Sequence, residues 1–379
     1  MMKGKKAVGV LGPFGLYGPR PGNIIAVQKP IPMNRKWIHA VLLVLGLLFL
    51  VLMLRIVGVE RVWRALASLG WGLVPLVLLE GLGEVMHTNG WRRCLCSPFR
   101  SQSVVRLFWI RMAGYAINCF TPTAALGGEV TRVSLVAPAG RTAEATSTVL
   151  IDKACMALAH LLLVVAGAGL LLLGGIRLPP VLQTTMLVSG SVIAAGIIAF
   201  MLIQKEGKLG AVMRWPLVQR LAGASSQKIA DNTAAVDEAL RIFYRDRRSD
   251  LVLAVIWHMG GYAASLLQTW LFFTLLGLHP GFVVVAGVWI IGLWFDLVVF
   301  LVPMSAGTLE GSRIVTFAAV GYSAVQGMTL GMVVRLGHFS WAVLGLISYA
   351  VLAFKPGAPS LSPAHNELST ATRTSVPGR

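Results

Sequence analysis

Two segments of the chain carry the same pattern of chemistry-bearing residues. The first reads Pro122-Thr-Ala-Ala-Leu-Gly127-Gly128-Glu129-Val-Thr-Arg132, and the second Pro303-Met-Ser-Ala-Gly307-Thr-Leu-Glu310-Gly311-Ser-Arg313. Proline precedes glutamate by seven residues in both, and glutamate precedes arginine by three. Proline stops a helix and glycine lets the backbone turn sharply. A helix restarting after such a turn offers free backbone N–H groups to an anion. Glu129 with Arg132, and Glu310 with Arg313, sit one helical turn apart, where they can pair or bracket a zwitterionic group. The bland alternative is that each pair neutralises itself.

Further charges lie inside apolar stretches: Glu80 and Glu84 with His87 on the same face, Arg111, Asp152, Lys153, Asp296 and Arg335. Charge within a membrane span is costly and generally faces a cavity or a partner. Arg111 and Arg335 flank one motif each, and the planar donor fork of arginine suits a phosphate. Asp152 and Lys153 lie near a span end, where an interfacial ion pair accounts for them equally well. His160, His258 and His338 are read as packing residues or hydrogen-bonded spacers. Cys94, Cys96, Cys119 and Cys155 have neither disulfide nor zinc spacing and are read as packing residues. No metal or cofactor is expected.

The elements that must position these groups are membrane helices. Of the 379 residues, 56% are hydrophobic and only 13% charged, against about 25% charged in a soluble domain. Mean hydropathy is +0.75. At about 20 residues per crossing, the chain has material for roughly six to eight spans. Soluble enzymes, secreted disulfide scaffolds and disordered chains are excluded. The formal charge of +18 is read as cytoplasmic loops facing anionic lipid, not as nucleic-acid binding.

Residues 1–36 hold seven Lys or Arg, five Pro and no acid, a composition that cannot build a core and predicts a disordered basic arm. A retained first span is expected from Trp37 to Leu54, with the N-terminus cytoplasmic. A second runs roughly from Leu69 to His87, and later ones near 149–174, 182–203, 251–277, 282–302 and 325–354. The loop 204–250 carries nine Lys or Arg and should be cytoplasmic. Within it Ile229, Thr233, Val236, Leu240 and Phe243 recur at helical spacing, predicting an amphipathic helix on the membrane surface or across span ends. The tail 355–379 reads as disordered.

The loop 204–250 falls on the cytoplasmic side only if residues 107–145 dip in and return to the side they entered from. Such re-entrant backbone needs a polar cavity to cover it. If 282–323 is a second re-entrant pair, it enters from the opposite side, and the two form an inverted repeat with tips near the bilayer midplane. A full crossing at 282–302 is the alternative. The expected fold is therefore an all-α polytopic membrane protein with two re-entrant hairpins.

On the Pro122/Gly127-Gly128-Glu129/Arg132 segment, on Ile151-Asp152-Lys153 and on Pro303/Gly307/Glu310-Gly311, the chain resembles the lysylphosphatidylglycerol synthase transmembrane-region family, also called the flippase-like domain family, across residues 37–354. In the multiple-peptide-resistance proteins of that family a similar membrane domain moves aminoacylated phosphatidylglycerol between leaflets, and a separate soluble domain makes the lipid. The chain resembles the membrane half alone; some stand-alone members are associated with hopanoid or glycolipid pathways. Thr308-Leu309 and Gly311 depart from the Gly-rich run followed by Arg-Glu to which relatives tend.

The resemblance implies a non-enzymatic lipid flippase or lipid-binding transporter in a bacterial cell membrane, taking an anionic or zwitterionic headgroup. Its binding residues would be Arg111, Pro122, Gly127, Gly128, Glu129, Arg132, Asp152, Lys153, Pro303, Gly307, Glu310, Arg313 and Arg335. No ATP-binding motif is present, so transport would be passive, ion-coupled or driven by another subunit. Two other readings stand beside it: a scaffold recruiting soluble lipid-synthesis enzymes through its basic segments, and a lipid-linked transferase, for which no Asp-x-Asp pair or Ser–His arrangement is found.

Overall fold

The computed structural model describes residues 51–353, apart from 53–54, 56–57, 98, 121–125, 138–140, 175–177, 217–232 and 299–306. The chain divides at Arg35/Lys36, and the expected arm, the tail and nearly all of the first span lie outside the described residues, as do Pro122 and Pro303. The described residues are helical, with no strand among them.

The helices are α1 (Val59–Leu69), α2 (Leu73–Cys94), α3 (Val104–Phe120), α4 (Leu126–Val136), α5 (Thr142–Leu173) and α6 (Pro180–Lys205). They continue with α7 (Leu209–Met213), α8 (Ala234–Asp246), α9 (Arg248–Leu275), α10 (Phe282–Val298), α11 (Thr308–Ala319) and α12 (Ala324–Ala353). Five stretches are long and apolar enough to cross a membrane: α1 with α2, α5, α6, α9 and α12. This is a multi-pass membrane protein. The second span is longer than its expected end at His87 and runs on to Cys94.

The order long–medium–short–long occurs twice, as α2 to α5 (22, 17, 11 and 32 residues) and as α9 to α12 (28, 17, 12 and 30 residues). At about 1.5 Å per residue, α4 and α11 reach roughly 17 Å, far short of the ~30 Å hydrocarbon core. Each folds back on the helix before it. In the first hairpin, Gly114 of α3 and Gly128 of α4 meet backbone to backbone, and a Cβ on Gly114 would stand 2.7 Å from the Gly128 carbonyl oxygen. Asn118 Oδ1 accepts from the Gly128 N–H at 2.7 Å. In the second, Arg313 of α11 lies along Gly292 of α10 and bonds Asp296 at 2.8 Å. Gly307 carries the chain into α11 at φ 71, where an L side chain would be strained.

The two halves pack through antiparallel helix pairs: the equivalent first helices α2 and α9 meet each other, and the exchange-related pairs α5–α10 and α3–α12 flank them. In α2 and α9, Gly83 faces Gly261, Leu76 receives the Gln268 amide and Gly72 faces Leu275. Across α5 and α10, Gly167 faces Ile290, Gly174 faces Val283, and His160 Nε2 donates to the Leu293 carbonyl at 2.8 Å. Between α3 and α12, Gly345 sits on the Met112 carbonyl and Ser348 Oγ donates to that of Trp109 at 3.0 Å. Lipid tails are as apolar as leucine, so such helices associate by close packing, and small residues at the contact allow it.

The second half is thus inverted relative to the first. The hairpin α3–α4 opens on the end of the molecule that holds the start of α9, where Asp250 binds Arg100 and Arg247 at 3.1 and 2.7 Å. Gln102 bonds the Val136 carbonyl there, tying the entrance of α3 to the exit of α4. The hairpin α10–α11 opens on the other end, where Tyr322 packs on Phe273. Residues 282–298 therefore do not cross on their own, and α12 returns the chain to the end rich in arginine.

Two helices lie across the ends of this bundle. Val236, Leu240 and Phe243 of α8 bury against Leu95, Phe99, Val149 and Ala254, so the expected amphipathic helix packs across span ends; Ile229 lies outside the described residues. At the other end α1 buries Val62 and Leu69 and exposes Glu60 and Arg64. Helix α1 is additional to the expected elements; Val62, Leu66 and Leu69 recur along it at helical spacing.

Candidate functional site

A cavity of about 340 Å³ lies between the halves, lined from α2 by Glu80, Glu84 and His87, from α9 by Tyr262, Ser265 and Gln268, and from α10 and α11 by Asp296 and Arg313. His160 of α5 and His338 of α12 complete its polar wall. His258, Tyr262, Ser265 and Gln268 recur every three or four residues along α9, so one face of an apolar span is polar; that stripe was the signal in the sequence, and it went unread.

The polar groups of the wall are held in place by partners. His338 Nε2 stands 2.9 Å from Glu80 Oε1, and the Gln268 amide donates to Glu80 Oε2 at 3.1 Å and to the Leu76 carbonyl at 2.9 Å. Arg111 Nε donates to Glu84 Oε2 at 2.7 Å. Arg313 Nη2 donates to Asp296 Oδ2 at 2.8 Å, while its Nη1, packed against Gly292, has no hydrogen-bond acceptor among the described residues. A charge-bearing site at this depth thus has its orientation fixed before any ligand enters.

Behind the wall, the first hairpin is anchored by a ladder of ion pairs. Lys153 reaches Glu129 at 2.7 Å, Glu129 binds Arg132 at 2.9 Å, and Arg132 binds Asp152 at 2.7 Å. Asp152 also faces Arg111 at 3.5 Å and His258 Nε2 at 3.1 Å. The Arg132 guanidinium lies 4.1 Å from the centre of the Trp91 ring. Asp152 is 0% exposed and lies well inside α5, so it is no interfacial pair with Lys153; the two adjacent residues point to different partners.

Several expectations for individual residues need correction. Glu310 and Arg313 do not pair with each other: Glu310, 0% exposed, is clasped by Arg335 through two hydrogen bonds, one of 2.8 Å. Arg335 and Arg111 are therefore engaged by carboxylates and do not stand open to a phosphate. Gly127 and Gly128 lie in the first turn of α4 rather than in the connecting turn, and the Gly128 N–H is taken by Asn118, so it is not offered to an anion. Of the described residues expected to bind, Arg313 alone is among those lining the cavity. Glu129, Arg132, Asp152 and Lys153 form the ladder behind it. Arg111 joins ladder to wall through Glu84, and Gly307 starts the helix that presents Arg313. His258 and His338, expected as packing residues or hydrogen-bonded spacers, have polar partners in His87 and Glu80. No group of three or more metal-ligating side chains occurs among the described residues.

An apolar groove of about 420 Å³ lies between α5, α6 and α10, lined by Leu161, Val164, Met186, Gly190 and Leu297 among others. Leu161 follows His160 of the cavity wall, and Leu297 follows Asp296. Groove and cavity thus adjoin along α5 and α10.

This arrangement defines a class, a polytopic membrane protein built from inverted helical repeats around a polar site. The chain matches the family model described as lysylphosphatidylglycerol synthase TM region over residues 37–347, and it belongs to that family. Family membership gives it a role connected with membrane lipid. No curated protein matches the chain, and no solved structure does.

Proposed function

We propose that this protein is a lipid flippase that takes the polar end of an anionic or zwitterionic phospholipid or glycolipid into the cavity between its two halves while the acyl chains stay in apolar surroundings. The observation that carries this reading is the cavity itself: acids (Glu80, Glu84, Asp296) and the cation Arg313 line it together at the junction of the repeats. A headgroup with both a phosphate and an amine is matched by such mixed charge, and the adjoining groove offers its acyl chains an apolar path. The protein contributes no covalent step in this reading. By the bias of positive charge, the end holding Arg92, Arg93, Arg100 and α8 faces the cytoplasm of a bacterial cell.

Proteoliposomes carrying fluorescent phosphatidylglycerol, with outer-leaflet probe quenched by dithionite, test the proposal. Wild-type protein is expected to transfer probe between leaflets. Arg313→Gln is expected to slow transfer at least about tenfold, the equivalent of one lost charge-assisted hydrogen bond, with insertion and monodispersity retained. Equal rates in wild type and Arg313→Gln would contradict the proposed headgroup site.

A further inference from the structure

Two histidines meet between the cavity and the ladder of ion pairs behind it. His87 Nδ1 and His258 Nδ1 are 2.9 Å apart in the buried interface of α2 and α9, and His258 Nε2 is 3.1 Å from Asp152 Oδ1. Asp152, bound by Arg132 and Arg111, is a carboxylate and accepts only. His258 Nε2 is not aligned for a hydrogen bond with that oxygen, but beside an acceptor-only anion at 3.1 Å the proton of the neutral ring is favoured on Nε2 by charge attraction, which leaves its Nδ1 as acceptor and places a proton on His87 Nδ1. Nε2 of His87 is then the one basic atom of the pair, on a ring that lines the cavity.

The charges around the pair balance without it. Glu84, Glu129 and Asp152 are matched by Arg111, Arg132 and Lys153, and ion pairs of 3.5 Å or less link each to the set. The groups facing the two imidazoles are Glu84 from α2, Arg111 from α3, Arg132 from α4, Asp152 and Lys153 from α5, and Tyr262 from α9. With both histidines neutral the cluster carries no net charge. One proton on the pair makes it +1, at a depth where an uncompensated charge is costly, and the cavity is where a compensating anion can stand.

We propose that the His87–His258 pair is a proton-binding site coupled to the cavity, so that proton uptake and entry of an anionic headgroup each favour the other. This rests on the cavity being the headgroup site. A proton arriving at His87 Nε2 allows the His87 Nδ1 proton to pass to His258 Nδ1, and the resulting imidazolium lies beside Asp152; no bond other than N–H changes. Linkage requires the coupling to be reciprocal, so a bound anion raises the affinity for the proton by the factor by which the proton raises affinity for the anion. A proton gradient would then bias the direction of lipid movement.

The test is nitrogen-15 NMR of the histidine rings in full-length protein, titrated from pH 5 to 8.5 in nanodiscs of phosphatidylcholine alone and in nanodiscs of equal phosphatidylcholine and phosphatidylglycerol. Both are kept near 1 M salt, where a Debye length of about 3 Å suppresses the surface potential. His87→Gln identifies the pair. The pair is expected to bind one proton, with a midpoint about one pH unit higher with phosphatidylglycerol, a tenfold coupling. In His87→Gln the His258 midpoint is expected not to respond to lipid. A pair that stays neutral throughout, or has the same midpoint in both nanodiscs, overturns the coupling even where the fluorescent lipid is still transferred. A lipid-dependent midpoint in protein that transfers no lipid upholds the coupling of proton to bound anion and overturns the transfer reading instead.

Discussion

Asp152→Leu is expected to destabilise the protein by about 3–5 kcal/mol, the cost of leaving a buried cation without its partner. Asp152 is the only carboxylate that touches both Arg111 and Arg132 among the described residues, and its removal leaves three cations facing two carboxylates in the ladder. Arg132 retains Glu129 at 2.9 Å, but its side chain is only 3% exposed, so water cannot replace what is lost. The loss should be largely reversed in Asp152→Leu/Arg132→Met, because removing both members of a buried pair is often close to neutral. Unfolding in mixed micelles with increasing SDS measures both effects. A cost below about 1 kcal/mol for Asp152→Leu, or costs that simply add in the double variant, would show that the ladder does not anchor the hairpin.

Gly128→Val should have the second large effect, through sterics rather than charge. A Cβ at this position would overlap the Gly114 carbonyl oxygen and the Asn118 amide, so α3 and α4 must separate. Separation breaks the 2.7 Å bond from the Gly128 N–H to Asn118 and leaves a buried donor unmet, worth about 1–3 kcal/mol, beyond about 1–3 kcal/mol for overpacking. Gly196→Ala on α6 is the control, since nothing lies within 4 Å of a Cβ there. Gly128→Val is expected to lower the stability measured in SDS by about 2–6 kcal/mol by these two terms, and Gly196→Ala to leave it unchanged or to raise it by up to about 1 kcal/mol. Equal behaviour of the two variants would mean that the hairpin is not closed at Gly114.

The hairpins were legible because topology has to satisfy charge bias. Only an even number of crossings keeps the nine cations of 204–250 on the side of Arg92 and Arg93, which requires 107–145 to turn back. The partners within the site were not legible in the same way. Spacing of three or four residues says which side chains share a helix face, and that sufficed for Glu129 and Arg132. It says nothing of what an opposing helix brings, so Glu310 was matched to Arg313 on its own turn when its partner, Arg335, comes from α12. The meeting of Asp152 and His258 is hidden for a related cause: each lies in an apolar run of a different helix, and only the packing of α9 on α2 and α5 brings them together. The cavity wall is partly visible in the sequence, since Glu80, Glu84 and His87 share a face and Asp296 stands out as a charge in an apolar run, whereas the uncharged Tyr262, Ser265 and Gln268 of α9 do not.

Cysteine accessibility in sealed vesicles tests the inverted arrangement most directly. In a background with Cys94, Cys96, Cys119 and Cys155 replaced, single cysteines at Arg141 and Ser323 mark the open ends of the two hairpins, Ser265 marks the cavity, and Val165 and Val343 mark outward-facing apolar positions. A membrane-impermeant maleimide is expected to reach Arg141→Cys and Ser323→Cys from opposite sides of the vesicle and to label Ser265→Cys, leaving Val165→Cys and Val343→Cys untouched. Labelling of the first two from the same side, or a Ser265→Cys as inert as Val165→Cys, would contradict a polar cavity held between oppositely inserted hairpins.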